Sequence, residues 1–527
     1  MPGLSSFNYQ TAFALKAAIG LAAAALLTWW WYAARRRQGS SKRTLDVALA
    51  LLGVLGFLGW WNFGAIAHAG RAVHYWEFFH YYLGSKYSSE LAYTRLYDCV
   101  AAAEVEQGRR AEVSSRWIRD LRTNELRWGA PAVDDPDRCR SRFPTAERWD
   151  EFKHDVAFFR EGLGKSKWLD VQMDHGYNAS PVWTVVGRTL SNTGPMSTTR
   201  IGWLWWLDPL LILAMWATVF WAFGWRVTSV AVIWWGTNYA ATYNFIGGAF
   251  LRHDWLFLAI AGICLVKRGH NAAGGFALAW SALLRLFPGV ILLGLLLKIV
   301  GDCWRARRVI LSPAHLRFVA GAILALLVWL PLTFTVGDEG SGPFSAWAQF
   351  AANSRKLTSS PMTNTVGLPV VVAFTPANRS ERVKQYWLDS PWDVWKEGRR
   401  RTFEQRRIIY VVVLAAFSAL LAVAVRGRDD WLALTLGIGA ITFFGEVSSY
   451  YYGILLGLAF LWPRYQIAGV GLAFTAFLSN IVLVPWSADD DRYTVISVAI
   501  LLLVSVVTAT VALRRRGTNG EITQHRA

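Results

Sequence analysis

The sequence predicts an all-α polytopic membrane protein, with about thirteen transmembrane helices and one large helical external loop. Of its 527 residues, 54% are hydrophobic, 17% are charged and 30 are tryptophan, a composition typical of membrane proteins. The formal net charge of +18 comes from basic clusters that border the apolar runs, as the positive-inside rule requires of cytoplasmic loops. Basic residues arranged in this way argue against nucleic acid as a partner.

The first two apolar runs, 12–34 and 44–66, make up an N-terminal unit over residues 1–66. Basic residues 35–37 follow the first run, so the N-terminus is predicted outside and the end of this run in the cytoplasm. The first run ends in WWWYAARRR and not in a small-residue cleavage site. We therefore predict an anchor that the mature protein retains.

Residues 67–201 contain no apolar run near the ~20 residues that a transmembrane helix needs. They are predicted to form one large external loop domain, with helices that lie along the membrane between turn-forming clusters. The domain carries Cys99 and Cys139, and an oxidising exterior favours a disulfide between them. Two buried free thiols are the alternative.

Further crossings are predicted in two groups. In residues 202–335 they are 203–223, 227–245, 253–267, 272–287, 288–301 and 316–335, and the short pair around Pro288 is alternatively a re-entrant hairpin. In residues 408–527 they are 408–425, 430–447, 448–463, 466–485 and 493–513, which leaves the C-terminus in the cytoplasm. Residues 336–407 form a second external segment, although its basic stretch KEGRRRTFEQRR conflicts with the positive-inside rule.

Aromatic and ionisable residues are mixed in residues 68–99, where the chain leaves the second apolar run. Glu77 stands three residues from both His74 and His80, and Lys86 follows. Residues three apart share a helix face, and carboxylates in a half-dry setting have shifted pKa values. These residues are candidates for a site at the membrane surface. The alternative is an amphipathic surface helix whose charges are solvated.

Two further clusters of ionisable residues border predicted spans. Arg252, His253 and Asp254 lie at the external mouth of one span, where charged residues are functional candidates; an Arg–Asp pair that only orients the helix end is the alternative. Arg285 lies within the apolar ALLRLFPGV, and a buried guanidinium there would bind a phosphate bidentately. Arg285 could instead snorkel to the surface or pair with Asp208.

Four features follow one another along residues 44–485: the long external loop, GGFALAWSALLRLFPGVILLGLLLKIVGDCWRARR, TNTVGL with Asn364, and SSYYYGILLGLAFLW. This layout resembles the GT-C superfamily of polyprenol-phosphate-sugar-dependent membrane glycosyltransferases, most closely the bacterial alpha-mannosyltransferase type. Arg285 and Pro288 occupy the places of a cationic residue and a proline in the family pattern, with Arg for the more usual Lys. The family's glycine-polar-Asn signature is replaced by GAFLRHDW.

The resemblance implies transfer of a mannose-like hexose or a pentose from a polyprenyl-phosphate donor to a hydroxyl of a glycan or glycolipid acceptor, at the outer face of the plasma membrane. It implies Glu77 as the catalytic base. The residues expected to bind substrate are His74, His80, Lys86, Arg252, His253, Asp254, Arg285 and Asn364. A divalent cation, Mg²⁺ or Mn²⁺, is left open, with Asp254 binding either this ion or sugar hydroxyls. The alternative function is a non-catalytic transporter or flippase of a phosphate-bearing lipid.

Overall fold

The computed structural model describes residues 9–36, 42–65, 72–129, 131–337, 342–358, 361–385 and 391–514. Within these ranges the regular secondary structure is helical apart from two short antiparallel strand pairs. The pairs are Trp117–Asp120 with Glu125–Trp128, and Thr365–Val366 with Val447–Ser448. The predicted all-α class is therefore confirmed for the described residues. The predicted start of the loop domain at residue 67 and the tail beyond residue 514 lie outside them.

Seven helices among the described residues are long and apolar enough to cross a membrane. They are Gln10–Arg35, Lys42–Trp60, Thr198–Phe223, Phe287–Ala306, Pro313–Thr335, Arg407–Ala424 and Asp489–Leu513. Shorter apolar helices are Asn271–Leu284, Asp430–Phe444, Ser449–Leu461 and Gln466–Ile481. This set supports a protein with several membrane spans, whereas the predicted count of thirteen is not confirmed.

The predicted span 227–245 is interrupted in the structure. Its helix, Trp225–Thr237, ends at Asn238, whose side chain donates to the Trp234 carbonyl and accepts from the Ala241 N–H. A 3₁₀ turn and the short helix Tyr243–Ile246 follow. A side-chain amide that satisfies the last turn of a helix replaces the backbone partners that would continue it.

The pair predicted around Pro288 consists of two unequal helices. The first, Asn271–Leu284, has 14 residues, and the second runs from Phe287 to Ala306 over 20 residues. Pro288 lies in the first turn of the second helix, where its missing N–H costs nothing. The second helix is therefore long enough to cross a membrane by itself, and the two helices are not the equal short segments expected.

The basic residues of several loops gather at one end of the helices, called here the basic end. The Arg226 guanidinium lies 5.7 Å from the Trp30 ring, which packs edge-on against Trp462. The Arg464 carbonyl accepts a hydrogen bond from Arg514. Lys267 and Arg464 both lie near the Trp431 ring, and Arg428 donates to the Arg514 carbonyl. Arg268 lies near the Trp221 ring and donates to the Trp221 carbonyl. Basic residues from several loops that the sequence predicts as cytoplasmic thus share one end of the molecule.

The second external segment packs at the opposite end, called here the loop-domain end. Arg379 pairs with Asp491 at 2.8 Å, and Arg399 pairs with Glu446. These pairs join the segment to the start of the last helix and to the turn before Ser449–Leu461. Its basic stretch conflicts with the positive-inside rule when counted by itself. Four of the five arginines in that stretch have a carboxylate partner, whereas Arg406 donates to two backbone carbonyls.

The large loop domain is built from helices and one of the two strand pairs. Its helices are Tyr75–Lys86, Ser88–Leu91, Leu96–Glu106, Arg110–Ser114, Asp137–Arg140, Ala146–Val171 and Pro181–Ser191. The second segment adds Ser345–Thr358, Leu368–Ala373, Ser380–Val383 and Asp393–Gln405. The remaining helix between these regions is Asp254–Lys267. Asn353 donates from its side chain to the Tyr177 carbonyl at 3.3 Å, which holds the second segment against the loop domain.

Cys99 and Cys139 are joined by a disulfide, with their Cα atoms 5.3 Å apart. The bond links the Leu96–Glu106 helix to Asp137–Arg140 across 40 residues of sequence. Cys264 and Cys303 are free thiols. The pairing predicted from the two loop cysteines is therefore the one found in the structure.

Replacing Cys99 and Cys139 with serine should lower the free energy of unfolding of the loop domain by roughly 2–4 kcal/mol, since the bond restricts a long loop in the unfolded chain. Thermal unfolding of the purified protein measures this change, and Cys303→Ser is the control that removes a thiol without a bridge.

Mass spectrometry of the unreduced protein should recover the Cys99 and Cys139 peptides joined. Free thiols at both positions would contradict the pairing.

Candidate functional site

The first turn of the Tyr75–Lys86 helix positions Glu77 at the junction of the loop domain and the membrane helices. The His74 imidazole caps this helix, because its Nδ1 accepts the backbone N–H of Glu77 at 3.4 Å. The backbone N–H of His74 donates to the Gly248 carbonyl at 2.9 Å. Gly248 has φ +76°, and a Cβ there would lie 1.8 Å from the Ala72 carbonyl oxygen. A glycine is therefore required where the helix start meets the loop before Arg252.

Glu77 and Arg252 form a charged pair inside this junction. Arg252 Nε lies 3.0 Å from Glu77 Oε2, and the two side chains are 3% and 17% exposed. Neither atom has a hydrogen-bond partner among the described residues, because the two groups approach without the alignment of a hydrogen bond. The carboxylate is thus close to a cation, and its Oε2 is a buried acceptor without a hydrogen bond among the described residues.

Arg285 lies beside the Glu77–Arg252 pair, and no carboxylate among the described residues forms an ion pair with it. It follows the Asn271–Leu284 helix with an extended backbone and is 8% exposed. In the part of the chain that the structure describes, its Nε and Nη2 have no hydrogen-bond partner. The Tyr81 ring lies 5.7 Å from this guanidinium and 4.4 Å from that of Arg252. Two buried cations around one ring, with unused N–H donors, form an arrangement suited to an anion.

Asp254 opens the Asp254–Lys267 helix at the edge of the two arginines. Its Oδ1 accepts the Trp255 N–H at 2.7 Å, and both Arg285 and Arg252 act on it electrostatically. The side chain is partly exposed. Asp254 therefore lies near both arginines, and its contact with a substrate stays a prediction.

His253 turns away from this group and pairs with Asp208. Its Nδ1 lies 2.5 Å from Asp208 Oδ2, while the backbone N–H groups of Arg252 and His253 each donate to Asp208 Oδ1 at 2.8 Å. Leu251 just before them has φ 50°, a strained value for leucine that needs such support. The expected substrate contact of His253 is replaced by a role in holding this turn, and Asp208 is not the partner of Arg285.

His80 and Lys86 lie in the interior of the loop domain, and this corrects their assignment to substrate. His80 Nε2 is 2.8 Å from the Tyr97 hydroxyl, and burial lowers the pKa of His80. The Lys86 ammonium pairs with Asp155 at 2.6 Å and with Glu151 at 2.9 Å. The loop domain packs on the helix face that holds them, so helical spacing from Glu77 does not bring them to one ligand.

Asp174 is a carboxylate near Glu77 that the sequence reasoning missed. Its Oδ2 accepts the Trp76 indole N–H at 2.6 Å, and its charge acts on both Glu77 and His80. Asn178, four residues after Asp174, accepts a hydrogen bond from the Tyr81 hydroxyl at 2.5 Å. The polar stretch DHGYN at 174–178 was the available signal, since a run of polar and glycine residues after a long helix often forms a functional loop.

Asn364 lies beside the site through backbone pairing. Its carbonyl accepts the Ser449 N–H at 2.9 Å, and the next residue, Tyr450, has its ring 5.8 Å from the Arg252 guanidinium. The segment that carries Asn364 therefore borders the site of Glu77 and Arg252. Tyr450 also borders this site, and the sequence analysis did not name it as a candidate residue.

Burial raises the pKa of Glu77 above its ordinary value of 4.5, while Arg252 acts in the opposite direction. Asp174 adds to the rise and Arg285 opposes it. A carboxylate with a raised pKa is a stronger base once it is ionised.

Among the residues described, no group of three or more His, Cys, Asp or Glu side chains is placed to hold a metal ion, and the need for a divalent cation stays an open prediction.

No protein-family model, curated protein or solved structure matches this chain. The chemistry of the site is therefore inferred from its own residues and their geometry.

Proposed function

We propose that the protein is an integral membrane glycosyltransferase of the GT-C type, which transfers a sugar from a polyprenyl phosphate to an acceptor hydroxyl. The observation that supports this most is the group of Glu77, Arg252 and Arg285 around the Tyr81 ring. It combines a basic carboxylate with two buried cations, and these are the two functions that such a transfer needs. The same order of motifs along the sequence supports the assignment.

In the proposed reaction Glu77 takes the proton of the acceptor hydroxyl. The acceptor oxygen then attacks the anomeric carbon, and the bond from that carbon to the phosphate oxygen breaks with inversion. The bonding electrons leave with the polyprenyl phosphate, whose developing charge Arg285 and Arg252 stabilise. Cations at the leaving oxygen take the place of a general acid, because phosphate is a good leaving group.

The finer assignments follow the proposed chemistry. Asp254 and Tyr450 would contact sugar hydroxyls, the sugar being a mannose-like hexose or a pentose, and the acceptor a glycan or glycolipid. With the basic end in the cytoplasm, the loop-domain end faces outward, the N-terminus is outside and the C-terminus inside. The lipid chain of the donor would then lie along the membrane helices near Arg285, in the plasma membrane.

Incubation of the purified protein with radiolabelled polyprenyl-phosphate sugars and an acceptor panel tests the proposal. Label in the acceptor, with release of polyprenyl phosphate in equal amount, is the expected result. The same lipids in liposomes test the alternative function. Movement of labelled lipid between leaflets without any transfer would identify a flippase and overturn the proposal.

The acid side of the pH profile should report Glu77. Because the base must be ionised and burial raises its pKa, kcat/KM for the acceptor should fall as pH drops through a value above the ordinary 4.5. The measurement is the rate against pH at low acceptor and saturating donor. A profile that stays flat down to the ordinary glutamate value would contradict a role for Glu77 as base.

A further inference from the structure

A shallow, open groove at the basic end lies between the first turns of the helices Lys42–Trp60 and Trp225–Thr237. Its volume is about 610 Å³. The residues that line it are Lys42, Arg43, Asp46, Val47, Ala50, Trp225 and Arg226. It is far from the site at Glu77, which lies at the loop-domain end.

The charges of the groove are not balanced. Arg226 Nε and Nη2 donate to the two carboxylate oxygens of Asp46, each at 2.7 Å, so these two residues neutralise one another. Lys42 and Arg43 are exposed, and neither forms an ion pair with any other residue that the structure describes. Both lie in the first turn of their helix, where the helix dipole disfavours cations. Their charge is therefore not explained by helix stability, and it faces the groove uncompensated.

An apolar stripe continues from the groove along the exposed face of the Lys42–Trp60 helix. Val47, Leu51, Val54 and Leu58 are all exposed, and their spacing places them on one face. Trp225 borders the groove at the level of the cations, as tryptophan does at a membrane interface. A polar cationic head region thus leads directly into an apolar track.

We propose that this groove binds an anionic glycerophospholipid of the membrane leaflet at the basic end. The phosphate and the charged headgroup lie on Lys42 and Arg43, and one acyl chain runs along Val47, Leu51 and Val54. Charge complementarity selects an anionic lipid over a zwitterionic one, because two cations in the groove have no ion-pair partner among the residues that the structure describes. Basic residues at a membrane surface attract anionic lipids by about 1 kcal/mol each. The inference does not depend on the proposed sugar transfer.

Native mass spectrometry of the full-length protein, delipidated and then titrated with phosphatidylglycerol or phosphatidylcholine, tests this site. The wild-type protein should retain phosphatidylglycerol preferentially. Lys42→Ala/Arg43→Ala should weaken this binding by about tenfold or more. The matched control is Arg308→Ala/Arg317→Ala, which removes two exposed positive charges from the turn and helix start after Phe287–Ala306. Because these two residues do not line the groove, solvent screens their charge from a lipid bound there, and binding at the groove should change by less than about twofold.

Each outcome bears on the proposal. Equal loss in both double variants would reduce the effect to general surface charge and overturn a specific groove. Equal retention of the two lipids would overturn the anionic class, and full displacement of phosphatidylglycerol by excess inorganic phosphate would assign the cations to free phosphate. Lys42→Gln/Arg43→Gln keeps the side-chain length and serves as the second variant if the alanine pair does not run as a monodisperse particle.

Discussion

Glu77→Gln should lower the turnover of sugar transfer by about 10²–10⁴-fold, the usual loss when a general base is removed. Glutamine keeps the shape of the side chain but has no basic oxygen to take the acceptor proton. Arg252 loses its carboxylate partner at 3.0 Å, so affinity for the donor phosphate should be kept or should rise. Single-turnover transfer and a separate donor-binding titration measure the two effects independently.

Three carboxylate variants separate the base from its neighbours. Glu90→Gln alters a side chain that pairs with Arg148 at 3.0 Å inside the loop domain, so it should affect stability more than turnover. Asp174→Asn and Asp254→Asn each remove a carboxylate near the site. Near-normal turnover in Glu77→Gln, together with loss in one of these two, would move the base to that position.

The position of the site at one end of the helices was predictable from sequence. Glu77 and Arg252 stand near the points where apolar runs meet loops on the side assigned as external, and a helix bundle returns such ends to one surface. Arg285 lies within an apolar run, but just before Pro288 on the same side. The helical class followed from composition in the same way. The contacts themselves could not be predicted, such as the approach of both guanidinium groups to the Tyr81 ring.

The side chains whose partners the sequence analysis predicted wrongly are held by long-range packing. His80 and Lys86 have the helical spacing of a shared face, but their partners Tyr97 and Asp155 come from distant helices of the loop domain. Asp208 supports the turn before Asp254–Lys267 from another helix. Local periodicity gives the direction of a side chain on its own helix and gives no information about which helix packs there.

The cost of burying Arg285 gives a test that separates function from folding. A buried guanidinium without an ion pair is unfavourable for stability, and an apolar residue of similar volume is often neutral or stabilising in its place. Arg116 provides the opposite case, since it is equally buried but forms an ion pair with the fully buried Glu104. Removal of Arg116 takes the nearest cation from that carboxylate, which keeps Arg160 at 3.4 Å and the Trp168 indole N–H at 2.9 Å. The loss should therefore be at most the ~3–5 kcal/mol that breaking an isolated buried pair typically costs.

Arg285→Met should therefore lower kcat/KM for the donor by about 10²–10³-fold, the usual loss when a preorganised donor to developing charge is removed, with an unchanged or raised melting temperature. Arg285→Lys keeps a point charge without the planar fork and should recover only part of the rate. Arg116→Met should lower the melting temperature and leave the donor KM of the folded fraction unchanged. Donor titrations and thermal unfolding of the three variants measure both quantities. A large drop in melting temperature with Arg285→Met, at near-normal kcat/KM for the donor, would mean that Arg285 stabilises the fold and does not bind phosphate.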